Sequence, residues 1–100
     1  MGRVDLTEDY DPYFEMDAMT ILISLDELVP TKPPESQVDS VERAAERMAA
    51  AAVGELPRRA PIWVRRRESA CWKIVDGNAT SGVALRERWR AVPAKLDGAK

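Results

Sequence analysis

The chain contains no histidine and only one cysteine, Cys71. A zinc site built from His and Cys ligands therefore cannot be assembled, and neither can a Ser-His-Asp or Cys-His catalytic centre. One thiol cannot close an internal disulfide, which fits a reducing compartment. Acid–base chemistry would fall to carboxylates, lysine or tyrosine. Long apolar runs are absent too: no stretch reaches the roughly 18 residues a membrane-spanning helix needs. The opening "MGRVDLTEDYDPYFEMD" is acidic and lacks the apolar centre of a signal peptide, so the expected location is the cytoplasm, with no membrane partner. There are no repeats, no low-complexity tracts and no Gly/Ser-rich linkers, and 100 residues make one domain.

What is present is unevenly charged. Residues 1–50 hold 4 basic and 12 acidic side chains, whereas residues 51–100 hold 11 basic and 5 acidic. The halves can attract one another within the fold or across a dimer. Alternatively, the basic half is a binding face balanced by an acidic arm. Arg58, Arg59, Arg65, Arg66 and Arg67 are the candidate basic surface. With Trp63, Trp72 and Trp89 they match what phosphates and bases of nucleic acid require, although tryptophans more often fill a core.

Residues 1–18 read as an acidic aromatic arm. Tyr10, Tyr13 and Phe14 either anchor a partner, such as a second copy of the chain, or fold back on their own domain. The domain proper spans 19–100. "MTILISL" (19–25) reads as a strand ended by "DELVP", and "PTKPPESQ" (30–37) is a proline-restricted loop. Val41, Ala44, Ala45, Met48 and Ala52 follow helical spacing, with Asp39 or Ser40 as cap and Gly54 as stop. "APIWVRRR" (60–67) and "CWKIVDG" (71–77) alternate as two strands, with Ile62 and Val64 on one face and Trp63 and Arg65 on the other. A second helix over 78–88 offers Val83, Ala84 and Leu85 to the core. "WRAVPAKL" (89–96) closes the chain as a strand in which Pro93 suggests an edge position or a strand start.

The run "KIVDGNATSGVAL" (73–85) concentrates the functional interest. Gly77 permits close backbone approach. The helix that follows offers unsatisfied N–H groups and the positive end of its dipole, which together suit an anion. Thr80 and Ser81 add hydroxyls, Ala79 keeps the mouth small, and Asp76 can orient a hydroxyl or share a magnesium ion. The competing reading is a capped turn, in which Asn78 caps the helix and Thr80 and Ser81 satisfy its first turn.

The order of "ISLDELVPT", a helix, "PIWV", "WKIVDGNA", a second helix and "WRAVPAKL" resembles the ParB N-terminal/sulfiredoxin-like superfamily over about residues 20–96. The resemblance implies a small mixed sheet with two main helices, an α/β domain. It also implies a nucleotide's phosphates at the helix after Gly77, with ATP, ADP or CTP and magnesium as candidate ligands. The signature departs from the family at its centre. Asn78, Ala79 and Thr80 stand where members carry Glu, His or Cys, then His or Arg, then Arg. Sulfiredoxin chemistry is rejected on that ground, because Cys71 lies upstream on the strand and does not replace the missing cysteine. The partition proteins' arginines and their DNA-reading helix-turn-helix have no counterpart in these residues. Glu35 is the nearest equivalent of the glutamate that serine-kinase members use.

The expected activity is binding of a nucleotide or other phosphate-bearing ligand by Gly77, Asn78, Ala79, Thr80 and Ser81. The role would be regulatory, with weak or no turnover and with Glu35 or Asp76 as the acid. A degenerate protein-interaction module is the alternative, and a DNA-binding or nuclease domain is the third reading.

Overall fold

Alternating burial builds the centre of the sheet. The computed structural model describes residues 6–32, 36–67 and 71–97. In β3 (Ile62–Arg66), Ile62 and Val64 are buried while Trp63 and Arg65 alternate to the other side. In β4 (Trp72–Asp76), Ile74 is fully buried between the exposed Lys73 and Val75. The two strands pair antiparallel with Val64 opposite Ile74, and the register shifts by a bulge between Trp63 and Val64. Three more strands flank them: β1 (Ile21–Ser24), β2 (Leu28–Val29) and β5 (Ala91–Leu96). The sheet order is β1-β5-β3-β4-β2, with β5 parallel to β3 and antiparallel to β1. With α1 (Val38–Ala52) and α2 (Asn78–Arg86), this is the expected small mixed α/β fold.

Local details correct the sequence reading in several places. "DELVP" does not simply end the first strand. It forms a short 3-10 turn, Leu25–Glu27, and then β2, which pairs parallel to β4. Gln37, not Asp39 or Ser40, stands at the N-cap of α1, and no side chain caps it. The helix buries Ala44, Ala45, Met48 and Ala51, while Ala52 is exposed. Gly54 stops α1 as expected. At φ +84° it donates to Ala51, while Glu55 N–H reaches back to Ala50, the paired bonds of a Schellman motif. Leu85 is exposed, so α2 turns Thr80, Val83 and Ala84 inward instead.

Pro93 lies inside β5, an interior strand, opposite Leu22 of β1. The ladder to β3 begins one residue later, at Ala94 opposite Ile62. The missing N–H thus falls where β5 has a strand neighbour on one side only.

The aromatic arm folds back on its own domain. Tyr13 and Phe14 are buried, and with Tyr10 they surround Trp89 at ring-centroid distances of 5.6–6.4 Å. The Glu8 carboxylate accepts from the N–H groups of Arg90 and Ala91 and from the Tyr10 hydroxyl, fastening the arm to the start of β5. Phe14 also forms a parallel bridge with Arg59: Arg59 N–H donates to Tyr13, and Glu15 N–H donates to Arg59. The charge asymmetry of the two halves is partly discharged here, through Glu15–Arg58 and Asp17–Lys95. Among the described residues no helix is long and apolar enough to cross a membrane.

Candidate functional site

Gly77 sits between β4 and α2 at φ +109°, a left-handed conformation that side chains other than glycine rarely adopt. A Cβ there would stand 2.6 Å from Ile62 Cγ2 and 3.1 Å from Ile62 Cα. The close approach that glycine permits is therefore first to β3. Its backbone still lines the two clefts beside the α2 N-terminus.

Asn78 does not cap the helix. Its carboxamide faces the loop after β2, where Oδ1 accepts from Thr31 N–H at 3.0 Å and Nδ2 donates to Thr31 Oγ1 at 2.9 Å. The Thr31 hydroxyl in turn donates to the Ile74 carbonyl at 3.0 Å. Gly77 is the N-cap, and no side chain among the described residues caps the helix. The first intrahelical bond is Ser81 N–H to the Gly77 carbonyl. Hence the N–H groups of Asn78, Ala79 and Thr80 have no acceptor within the helix. Thr80 and Ser81 are buried, and Ser81 lines the groove toward α1, away from the cleft at the helix mouth.

That cleft, about 240 Å³, is walled by Thr31, Lys32, Gln37 and Ser40 on one side and by Asp76 to Thr80 on the other. A smaller cleft of about 170 Å³ lies on the β3 side of Gly77. Arg59 lines both. It is half-buried, and its guanidinium makes no hydrogen bond or ion pair among the described residues. Burial first, and then repulsion from Arg47, pull its pKa below that of a free guanidinium, with Asp76 opposing them through space. A guanidinium nevertheless stays protonated. A half-desolvated cation without a partner gains when an anion arrives.

The five arginines of the candidate basic surface do not converge. Arg58 pairs with Glu15 at 2.6 Å and also donates to the Asp11 carbonyl. Arg65 pairs with Asp97. Arg66 lies over the Trp72 ring, 5.3 Å from its centroid, and Arg67, just after β3, is exposed. Only Arg59 reaches the helix mouth. In the sequence nothing separates it from its neighbours. Its distinction arises from the backbone bridge to Phe14, a pairing between residues far apart in the chain.

The tryptophans are similarly dispersed: Trp89 is in the core, Trp72 is half-buried at its margin, and Trp63 lies beneath Lys95 at 5.5 Å. Asp76 is exposed and borders both clefts. Glu35 lies outside the described residues. Cys71 is half-buried, and among the described residues no cluster of three Cys, Asp or Glu side chains is placed to hold a metal. No protein-family model matches the chain, and no curated protein matches it either.

Proposed function

We propose that the α2 mouth binds a nucleotide or another phosphate-bearing ligand. The observation that carries this reading is the Arg59 guanidinium, unpaired among the described residues, on the same cleft as three helix N–H groups that no described side chain caps. Arg59 and Lys32 supply the positive charge, and the N–H groups of Asn78, Ala79 and Thr80 supply direction. Arg59 would thereby stand in for the arginine missing from the "DGNAT" run. The likeness of that run's setting to the ParB/sulfiredoxin-like nucleotide corner favours ATP, ADP or CTP. Asp76 is the one carboxylate on the cleft among the described residues and would meet a magnesium ion carried by such a ligand.

Binding with little or no turnover is the reading we favour, in a regulatory role. The chain has no histidine, and a single exposed carboxylate makes a weak acid–base apparatus.

The test is a thermal-shift screen against ATP, ADP, CTP, GTP and inorganic phosphate, with and without magnesium. A ligand that binds only the folded chain raises the melting temperature. The expected result is a rise with at least one nucleotide that disappears in Arg59→Gln. No rise with any of them at millimolar concentration would overturn the proposal.

A further inference from the structure

A third cavity adjoins the helix-mouth cleft. It is a groove of about 370 Å³ between α1 and α2, and it shares Lys32, Gln37 and Asn78 with the cleft. From Asn78 it follows one face of α2 through Ser81, Gly82 and Leu85 to Arg86. Its opposite wall is Val38 and Val41 of α1, with Pro30 at the loop side. The two helices touch at Gly82, where a Cβ would fall 2.5 Å from Val41 Cγ2. The end away from the cleft is marked by the Glu42–Arg86 ion pair at 3.0 Å.

The lining decides the chemistry. Pro30, Val38, Val41, Gly82 and Leu85 present carbon, and Leu85 and Val38 are left 59% and 67% exposed on its rim. No aromatic side chain is there to stack on a base, and the charged pair at the far end is already engaged with itself. The Asn78 carboxamide is engaged with Thr31, and Lys32 and Gln37 are shared with the cleft, so the wall between Val41 and Leu85 offers a nucleobase few hydrogen-bond partners. An alkyl group needs only to leave water.

We infer that the α1–α2 groove takes hydrocarbon attached to the phosphate bound at the α2 mouth, so that the ligand is a small organophosphate with an apolar body in place of the nucleotide that the resemblance alone favours. This rests on the phosphate reading above and narrows it. The ligand is a freely diffusing molecule and not a membrane lipid, because the Glu42–Arg86 ion pair bounds the apolar run within the length of α2.

The experiment is calorimetric titration of the whole chain with methyl phosphate and with hexyl phosphate below its aggregation concentration. A buried methylene is worth roughly fourfold in affinity. Hexyl phosphate is therefore expected to bind at least about thirtyfold more tightly than methyl phosphate. In Leu85→Asp, on the exposed rim, that advantage should vanish while methyl phosphate binding persists, and Arg59→Gln should weaken both. Methyl phosphate binding as tightly as hexyl phosphate would overturn the apolar compartment and leave the phosphate site standing. Binding of neither would overturn the phosphate reading and this inference together. Hexanol or anionic vesicles binding as well as hexyl phosphate would also contradict it, since the phosphate would then contribute nothing or the source would be a lipid surface.

Discussion

Gly77 and Ile62 are packed so closely that a methyl group on the one would overlap the other, at 2.6 Å from Cγ2 and 2.8 Å from Cβ. The strand-to-helix turn that shapes the candidate site is thus also a junction of the core. Gly77→Ala must meet both this overlap and a φ of +109°. We expect a loss of about 2–4 kcal/mol, the sum of overpacking and left-handed strain. Urea denaturation measures it. A loss below about 1 kcal/mol would mean that β3 yields easily. Because the effect is structural, a bulky residue at Gly77 does not report on ligand binding, and Arg59→Gln is the cleaner probe.

Asn78 and Thr31 exchange two hydrogen bonds that tie the loop after β2 to the first turn of α2. The clasp is solvent-accessible, so each bond is worth the low end of the usual range. Asn78→Ala is expected to cost about 1 kcal/mol. In a double-mutant cycle with Thr31→Ala most of that should appear as coupling, about 0.5–1 kcal/mol. A coupling near zero would show that the two residues act independently.

Gly82 makes a prediction of opposite balance. Alanine is the better helix former by about 1 kcal/mol. Yet its Cβ would meet Val41 Cγ2 at 2.5 Å, and a β-branched side chain in a helix has little freedom to turn aside. The overlap should win, with Gly82→Ala destabilising by about 1–2 kcal/mol. Adding Val41→Ala should recover most of that loss. Chemical denaturation of the three variants decides it, and no recovery in the double variant would contradict the contact.

The arm is pH-sensitive at both ends of the scale. Burial, and then the hydrogen bond to Glu8, push the Tyr10 hydroxyl from 10.0 up to about 12. A raised folded pKa means that the stability Tyr10 contributes is whole below pH 10 and is lost as the pH rises from there through about 12. Burial alone would raise the Glu8 carboxyl, but bonds from Tyr10 and from the N–H groups of Arg90 and Ala91 outweigh it and hold Glu8 below 4.5. The Glu8 contribution is accordingly complete above that value and is lost as acid protonates the folded carboxylate. Ultraviolet titration of tyrosinate should show a late phase near pH 12 that Tyr10→Phe removes. A wild-type curve without that phase would contradict the buried clasp.

The sequence carried the parts of this fold that repeat locally. Alternation in "APIWVRRR" and "CWKIVDG" placed β3 and β4, and Ala44, Ala45 and Met48 placed the inner face of α1. It failed where pairing is distant. Leu28 and Val29 become β2 only because β4 lies alongside them, and no two-residue run announces a strand. Leu85 looked like core because it is leucine, yet the inward stripe of α2 passes through Thr80, Val83 and Ala84. Pro93 suggested an edge, but the stagger between β5's two neighbours lets an interior strand accept it. At the site, the "DGNAT" run marked the helix mouth. The role of Asn78 depends on Thr31, 47 residues away, and the choice of Arg59 over four other arginines depends on Phe14.

The most direct test follows backbone amides in ¹⁵N-labelled protein as ATP, ADP or CTP is titrated with magnesium and, separately, as hexyl phosphate is titrated. The account predicts that the amides of Asn78, Ala79 and Thr80 move furthest, together with the Arg59 side-chain Nε–H signal, and that Arg59→Gln suppresses the movement. If a nucleotide binds but shifts a different surface, such as Arg66 and Arg67 beside Trp72, or if nothing moves at millimolar ligand, the α2 mouth is not a phosphate site.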